Sequence, residues 1–350
     1  MAKRFDLSVD SSGMMKLVQS WPVQFNRSFT AGFKSGKASP AKPPRVLLWA
    51  GMGGSAIGGD FVASLLSSAA SFPVIVHRGG HLPKWVGKKD RAILVSYSGN
   101  TAETLDAAEA LTTRGTALDL LTSGGKLKKW GEKNGVPIWR VPGGRPPRSA
   151  LGDLFGYTLG VLAGRGWIKI TERDAAEAVR FLRKLTKISS IDPATSDYLY
   201  DPFLKMCKDR LPMIYGTGKL VSAAHRWATQ INENSKLPAH WGELPEMNHN
   251  EVVAYVKGTP WAERTAIFIL TDPDSPPDVL KRVAVTLEIA RDTGFPAIEV
   301  PLPGSDFSPL INLLTAAVIG DWFSFWLAIE RRANPTPIPT INRLKAALEK

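Results

Sequence analysis

The sequence repeats one order of segments: an apolar strand, a turn containing glycine, and a helix. The pattern begins at "RVLLWAGMGGSAIGGDF" and again at "LPMIYGTGKLVSAAHRW". A second strand, turn and helix follow in each copy, as "DRAILVSYSGNTAETLDAAEALTTRG" and as "ERTAIFILTDPDSPPDVLKRVAVTLEIARDTG". Strands that alternate with helices indicate a parallel sheet covered on both faces. The sequence therefore predicts an α/β protein made of two related domains.

The domain boundaries follow from the repeat and from what separates its copies. "FPAIEVPLPG" near the end of the second copy mirrors "VPIWRVPGG" in the first, and a helical segment, "TERDAAEAVRFLRKL", stands between the copies. We expect two parallel sheets flanked by helices, in the following order. Residues 1–40 form a helical lead-in, 41–165 the first domain, 166–194 a helical connector, 195–330 the second domain, and 331–350 a C-terminal segment with a helix.

The composition permits an ordinary globular core. Hydrophobic residues make up 44% of the 350 residues and charged residues 22%, which argues against general disorder. Cys207 is the single cysteine, so the chain cannot form an internal disulfide. The N-terminal segment lacks the apolar run of a secretory signal. We therefore expect a cytoplasmic protein.

One segment, Pro309 to Ile329, is long and apolar enough to suggest a membrane span. Asp321 lies inside it, and no second segment of this kind occurs in the sequence. A carboxylate is costly in the hydrocarbon core of a bilayer. A buried helix is therefore favoured, and no membrane partner is expected.

The net charge raises the question of a polyanionic partner. The formal value is +12, but the basic residues are scattered in small clusters such as "GKLKKW". The chain has no zinc-finger spacing and no RNA-recognition signature. We therefore expect a basic surface and no nucleic acid partner.

Two loops at strand ends favour a phosphorylated ligand. Ser96, Ser98 and Thr101 follow the strand "AILV" and precede a helix. Such hydroxyls can cap the helix, or can join its free N–H groups in holding an anion. The other loop, "GMGGSAIGG", is neither a P-loop nor a convincing dinucleotide fingerprint, and tight packing remains an alternative for its glycines. Because loops at neighbouring parallel strands converge, the pair predicts an anion site. The second copy has "DPDS" in place of "SGNT", so only the first is expected to keep this ligand.

The passage "QINENSKLPAHWGELPEMNHNEVVAY" is dense in titratable residues. Exposed loops often have this composition, so composition alone does not make it a site. A metal site is not predicted: His77 and His81 are four residues apart, but glycines between them break any helix. A serine hydrolase is not predicted either, because no GxSxG turn follows a strand.

Five stretches together carry a resemblance to a known family. They are "GMGGSAIGGD", "SYSGNTAET", "PPRSALG", "NENSKLPA" and "PEMNHNE". In this order they resemble the bifunctional phosphoglucose/phosphomannose isomerases of the sugar isomerase (SIS) superfamily, from about Arg45 to Lys345. The resemblance implies two SIS-type domains and an aldose–ketose isomerase without cofactor or metal. Its substrates would be glucose 6-phosphate, mannose 6-phosphate and fructose 6-phosphate, linked by a cis-enediol.

The resemblance also implies roles for particular residues. Glu233 matches the base, His249 the ring-opening histidine, Arg148 the arginine beside the intermediate, and Lys345 a C-terminal catalytic lysine. The histidine of related isomerases reaches across from the partner subunit, which implies a homodimer. The implied substrate-binding residues are Gly53, Gly54, Ser55, Ser96, Ser98, Thr101 and Thr336, and Thr340 competes with Thr336 because the "PT" unit repeats.

These residue types suit the reaction. A dianionic phosphate is a remote handle whose binding energy can orient C1 and C2. A histidine can move protons during ring opening, and a carboxylate can carry a proton from C2 to C1. A fixed guanidinium stabilises the charge that develops on the enediol oxygens.

Two other functions remain open at this point. A SIS module could sense a sugar phosphate and regulate a partner, but residues 1–40 are too short for an added DNA-binding domain, and Glu233 and His249 favour chemistry. A sibling isomerase, for mannose phosphate alone or for an aminosugar phosphate, also fits, since one contact at C2 separates an amine from a hydroxyl.

Overall fold

The structure is a computed structural model that describes residues 5–79, 81–193 and 199–348. Its contacts divide the chain into two compact units. The five-stranded unit comprises residues 20–183 and 309–313, and the four-stranded unit comprises the described residues of 1–19, 184–308 and 314–350. The domain boundaries given above stay predictions.

The five-stranded unit is a parallel sheet with helices along the chain between its strands. The strands are β1 Leu47–Gly51, β2 Val74–His77, β3 Arg91–Val95, β4 Ala117–Thr122 and β5 Ile138–Arg140. They lie in the order β2-β1-β3-β4-β5, and every neighbouring pair is parallel. The helices are α2 Trp21–Ala38, α3 Gly54–Leu66, α4 Ala102–Thr113, α5 Gly125–Asn134 and α6 Leu151–Gly164, with α7 Glu172–Ser189 leaving the unit.

The four-stranded unit is also built on a parallel sheet. Its strands are β6 Leu211–Thr217, β7 His240–Leu244, β8 Thr265–Leu270 and β9 Ala297–Glu299, in the order β7-β6-β8-β9. Its helices are α1 Met14–Gln19, α8 Tyr200–Met206, α9 Val221–Gln230, α10 Pro260–Arg264, α11 Pro277–Asp292, most of α12 Pro309–Glu330, and α13 Pro339–Leu348. The predicted fold class, two parallel sheets flanked by helices, is confirmed.

The two sheets share an order of strands, and this order revises two details of the sequence interpretation. β8 lies between β6 and β9 as β3 lies between β1 and β4, so β9 corresponds by position to β4 and not to β5. β7 was not expected, because its residues belong to the polar passage treated above as a loop. It is an edge strand with exposed His240 and Trp241 and one buried residue, Leu244, so it has no apolar run to reveal it.

The apolar helix α12 is long enough to cross a membrane by length and composition, but its most apolar stretch of 18 residues is entirely buried within the protein. Asp321 in its middle is 2% exposed and accepts hydrogen bonds from Arg226 Nε at 2.9 Å and from Arg226 Nη2 at 2.6 Å. The side-chain amide of Gln230 donates a third, at 2.9 Å. The predicted buried helix is confirmed, and Asp321 is satisfied by α9.

Glycines bring α2 and α6 into backbone contact inside the five-stranded unit. A Cβ atom added to Gly32 would lie 2.1 Å from the carbonyl oxygen of Tyr157, and one added to Gly160 would lie 2.2 Å from that of Phe29. Gly36 and Gly164 are similarly close to backbone oxygens of the facing helix, at 2.4 and 2.3 Å. α2, which precedes the region of sequence resemblance, is thus part of the core of this unit.

We expect Gly32→Ala to lower the free energy of unfolding by about 1–3 kcal/mol or more, because the added methyl group overpacks a backbone contact. Gly87→Ala is the matched control, since its Cβ would meet nothing within 4 Å, and it should change stability by less than about 0.5 kcal/mol. Urea denaturation measures both. Equal midpoints for the two variants would contradict the packing argument.

Candidate active site

The loops that follow β1 and β3 meet at one edge of the five-stranded sheet. β1 pairs directly with β3, so both loops leave from the carboxyl ends of adjacent parallel strands. Ser55, at the start of α3, accepts a hydrogen bond on Oγ from the backbone N–H of Tyr97 at 3.1 Å. Its side chain therefore ties the glycine loop to the serine loop. The expected convergence of these two loops is found.

The glycine loop requires conformations that favour glycine. Gly53 has φ +50° and ψ −126° and is the N-cap of α3, so a side chain there would be strained. A Cβ on Gly54 would lie 3.1 Å from the backbone nitrogen of Arg148. Arg148 belongs to a 3₁₀ turn, Pro147–Ala150, and is buried. The "GMGGS" and "PPRSALG" motifs are therefore neighbours within the five-stranded unit.

The three hydroxyl residues of "SYSGNT" have different surroundings. Ser96 is 1% exposed, its Oγ accepts from the N–H groups of Gly99 and Thr101 at 3.1 and 3.4 Å, and it shares a 2.8 Å hydrogen bond with Thr101 Oγ1. Ser98 is exposed and Thr101 half-buried. Ser96 thus shapes the loop, and Ser98 is the serine that faces solvent. Thr101 is the N-cap residue of α4, but its side chain makes no capping hydrogen bond. The amides of the first turn are therefore open to an anion.

A third loop, after β4, supports the serine loop and was missed in the sequence analysis. A Cβ on Gly99 would lie 1.8 Å from the carbonyl oxygen of Gly124. The N–H of Leu127 donates to the Gly99 carbonyl at 2.8 Å, and Ser123 Oγ donates to the Tyr97 carbonyl at 2.6 Å. The sequence signal for this loop was the pair of glycines in "TSGGK", which stands at the end of β4.

Glu233 lies on a π-helical turn, Ile231–Ser235, that continues α9. Asn234 and Ser235 on this turn are fully buried: Asn234 donates to Ser324 Oγ at 3.0 Å, and Ser235 Oγ donates to the Ser324 carbonyl at 2.7 Å. The wider turn leaves Glu233 half-buried beside a cavity of about 380 Å³. Turns of this kind inside helices often mark functional sites. A short polar run gives no sequence signal for a π-turn.

The cavity beside Glu233 has two walls within the four-stranded unit. Asn232, Glu233 and Lys236 form one, and residues 337–341 form the other. Thr340 lines this cavity, whereas Thr336 is not among the described residues that do. Lys345 lies on α13 and is exposed, outside the cavity lining.

His249 stands at the end of a 3₁₀ turn, Glu246–His249, and is exposed. Asn248 within this turn donates to Thr286 Oγ1 on α11 at 2.8 Å. In the next 3₁₀ turn, Glu251–Ala254, Glu251 Oε2 accepts from the Tyr215 hydroxyl on β6 at 2.6 Å. Burial and the neighbouring Glu251 raise the pKa of Tyr215, so this hydroxyl stays a donor at neutral pH. Among the described residues, His249 does not line the cavity beside Glu233.

The corresponding edge of the four-stranded sheet contains a buried side-chain carboxylate, that of Asp272. Asp272 is 3% exposed, and its Oδ2 accepts from the backbone N–H of Lys219 at 2.8 Å. The Lys219 ammonium lies 3.4 Å from Asp272 and 3.0 Å from Asp274. Burial opposes the charge of Lys219, but its hydrogen bond to Asp274 and the charge of Asp272 raise its pKa overall. A carboxylate thus occupies the loop that "DPDS" forms. That this copy lacks the ligand of the first stays a prediction.

The described residues contain no group of three or more His, Cys, Asp or Glu side chains that could hold a metal ion. The candidate residues therefore fall into two sets. The set in the five-stranded unit offers hydroxyls, amides and the arginine, namely Gly53, Gly54, Ser55, Ser96, Ser98, Thr101 and Arg148. The set in the four-stranded unit offers titratable groups, namely Glu233, Lys236, His249 and Lys345 with Thr336 and Thr340.

Comparison with known proteins supports the motif resemblance. Residues 203–348 match the bacterial phospho-glucose isomerase C-terminal SIS domain. The chain is 31% identical over 338 residues to the bifunctional phosphoglucose/phosphomannose isomerase of Caldicellulosiruptor bescii, covering 96% of this chain and 98% of that protein. It is 33% identical over 315 residues to the protein of the same name from Aquifex aeolicus, covering 89% and 93% respectively.

The fold has solved counterparts as well. The crystal structure of tagatose-6-phosphate ketose/aldose isomerase from Escherichia coli matches with a TM-score of 0.68 at 17% identity, over 93% of this chain and 95% of that one. At this identity the match speaks for the fold alone. Identity above 30% over nearly the whole chain, together with the shared SIS architecture, decides the family. The chain therefore belongs to the bifunctional phosphoglucose/phosphomannose isomerase family of SIS-domain isomerases.

Proposed function

We propose that this chain interconverts glucose 6-phosphate, mannose 6-phosphate and fructose 6-phosphate through a cis-enediol, as a cofactor-independent isomerase. The observation that carries the proposal is Glu233: a half-buried carboxylate on a rigidly anchored turn, at the wall of a cavity of about 380 Å³. Proton transfer between C1 and C2 needs one such group, held in place and partly shielded from water.

The substrate phosphate is the handle in this proposal. Ser98 and Thr101 donate hydroxyl hydrogen bonds to it, and the amides at the start of α4 complete an anion site with the positive end of the helix dipole. Ser55 and Ser96 hold the loops in shape through the hydrogen bonds described above. Gly53 and Gly54 let the backbone approach the sugar, as glycines permit.

The chemical steps fall to the titratable residues. Glu233 removes the proton from C2 and returns it to C1, while a second proton moves between the oxygens of C1 and C2. Because C2 becomes planar in the enediol, reprotonation there from either side gives glucose or mannose configuration. Arg148 supplies fixed positive charge for the enediol oxygens, and Lys345 is a further catalytic group. Thr340, which lines the Glu233 cavity, replaces Thr336 as our preferred contact to the sugar.

We propose that the active form is a homodimer in which His249 opens the sugar ring bound by the other copy. His249 is exposed, and the neighbouring surface carries exposed apolar side chains: Val253 is 78%, Val256 50% and Trp261 64% exposed. Apolar side chains clustered on a surface are typical of protein interfaces. A second copy of the chain would cover them and bring His249 to its site.

The proposal also covers the cellular compartment and the area of metabolism to which the reaction belongs. The lone cysteine, Cys207, is buried and free, which suits a reducing compartment, so we propose a cytoplasmic enzyme. Its reaction belongs to carbohydrate metabolism, since glucose and fructose 6-phosphates are interconverted in both glycolysis and gluconeogenesis.

Glu233→Gln should lower kcat for fructose 6-phosphate by about two orders of magnitude or more, with little change in substrate affinity, because only the general base is lost. The matched control is Glu263→Gln, an exposed carboxylate on α10. NMR can resolve glucose 6-phosphate from mannose 6-phosphate as products. An unchanged kcat in Glu233→Gln would refute its assignment as the base.

Ser98→Ala and Ser96→Ala should fail in different ways. Ser98→Ala removes a hydrogen bond to a charged group and should raise KM about tenfold. Its Oγ also accepts from the N–H of Asn100 at 3.3 Å, but at an exposed position, so stability should change by less than about 0.5 kcal/mol. Ser96→Ala leaves two loop amides without their acceptor, so it should lower the free energy of unfolding by about 1–3 kcal/mol. Steady-state kinetics and urea denaturation separate the two effects. If Ser98→Ala leaves KM unchanged, the phosphate site is elsewhere.

Mixing two inactive variants tests whether His249 acts across a dimer. A heterodimer of Glu233→Gln with His249→Ala has one site in which both residues are intact, provided the histidine comes from the other copy. After co-refolding equal amounts, half of the dimers should be mixed, so about a quarter of wild-type activity should return in a symmetric dimer. No recovery from a mixture shown to contain heterodimers means that His249 acts within its own chain.

A further inference from the structure

We infer that Lys236 is a positioning residue of this isomerase, which ties the turn that carries Glu233 to the C-terminal wall of the cavity. The inference rests on the proposed function, because it assumes that Glu233 is the base. It assigns a role to a residue that the sequence motifs did not single out, although Lys236 stands within "NENSK".

Lys236 ends the π-turn in a left-handed backbone conformation, with φ +53° and ψ +36°. Glycine adopts this conformation without strain, whereas a residue with a Cβ does so at a cost. The turn itself therefore does not require a lysine. What a lysine adds is a long cationic side chain that folds back over the turn it has just ended.

The ammonium group joins two segments of the chain. Nζ donates to the carbonyl oxygen of Glu233 and reaches that of Pro335, at 3.5 Å. The carbonyls at the end of a helical segment have no partner within it, and a cation there is favourable for the helix dipole. Pro335 lies two residues before the wall formed by residues 337–341. Lys236 therefore connects the two walls of the cavity.

The buried part of the C-terminal wall lies around its start, where Pro335 is buried and Ile338 half-buried. The side chains of residues 341–347 on α13 are exposed, so little apolar surface is buried beyond the wall. On its N-terminal side, Arg331 Nε donates to the Ser235 carbonyl at 3.3 Å, and Asn334 donates to Ser11 Oγ at 2.9 Å. A segment that continues into a helix with exposed side chains opens locally at low free energy. Loss of the Lys236 tie should therefore loosen the wall that carries Thr340.

The consequence for catalysis is geometric. Proton transfer requires the carboxylate and the reacting carbon within a few tenths of an ångström of their best positions, and a 1 Å error can cost about 100-fold in rate. Substrate affinity depends chiefly on the phosphate in our proposal, and Lys236 does not belong to that set of residues. Lys236 should thus affect kcat more than KM.

The test compares Lys236→Met, Lys236→Arg and the control Lys208→Met, an exposed lysine of the same unit. Methionine keeps the Cβ and an unbranched chain as far as the ε position, so the backbone strain is matched while the ammonium group, with its charge and hydrogen bonds, is lost. We expect kcat for fructose 6-phosphate to fall roughly 10- to 100-fold in Lys236→Met, with KM changed less than about threefold. Lys236→Arg should recover most of the loss, and Lys208→Met should equal wild type.

Amide hydrogen exchange of residues 334–341 gives a readout that does not depend on activity. Lys236→Met should speed exchange in this segment by about tenfold, since local opening becomes easier, and Lys208→Met should not. Unchanged exchange in Lys236→Met, or faster exchange with unchanged kcat, overturns the positioning role. If the wild-type protein itself does not isomerise the sugar phosphates, the proposed function fails, and the exchange experiment still decides whether Lys236 ties the two walls.

Discussion

The carboxylate of Asp321 sets the position of α9 in the four-stranded unit. It lies in the middle of the apolar helix α12 and is 2% exposed, with three hydrogen bonds from Arg226 and Gln230. An uncompensated charge in such surroundings costs several kcal/mol, so α9 can pack on α12 only where these donors meet the carboxylate. The same packing continues into the turn after α9, where Asn234 and Ser235 both donate hydrogen bonds to Ser324 of α12. The hydrogen bonds of its neighbours Asn234 and Ser235 thereby help to direct Glu233 to the cavity.

In the five-stranded unit, the loops of the candidate site are held in position by a different kind of contact. Its loops are held by backbone approach: Gly99 and Gly54 leave no room for a Cβ next to Gly124 and Arg148. Backbone amides and small hydroxyls are then close to the surface, where an anion can reach them. The four-stranded unit has the same arrangement of strands, but Asp272 supplies the negative charge from within. In our proposal, the same order of strands thus presents an open anion site in one unit and a loop occupied by Asp272 in the other.

Much of this could be predicted from the sequence because it depends on local patterns. Apolar runs followed by turns predicted strands in both parallel sheets, and Asp321 inside the apolar segment predicted a buried helix. β7 was missed because an edge strand needs no apolar run. The π-turn at Glu233 and the tie through Lys236 were missed because they depend on hydrogen bonds to Ser324 and Pro335, which are remote in the chain. No local pattern records such contacts.

A motif can also join residues that serve different purposes, and here the sequence alone could not separate them. Ser96 and Ser98 are two residues apart in "SYSGNT", and both fitted the anion hypothesis equally well. In the structure, Ser96 is 1% exposed with its oxygen already accepting from two amides, whereas Ser98 is exposed. Ser96 therefore fixes the shape of the loop that precedes α4, and in our proposal Ser98 is the serine that meets the anion. A loop that binds an anion must first have its own amides arranged to face outward.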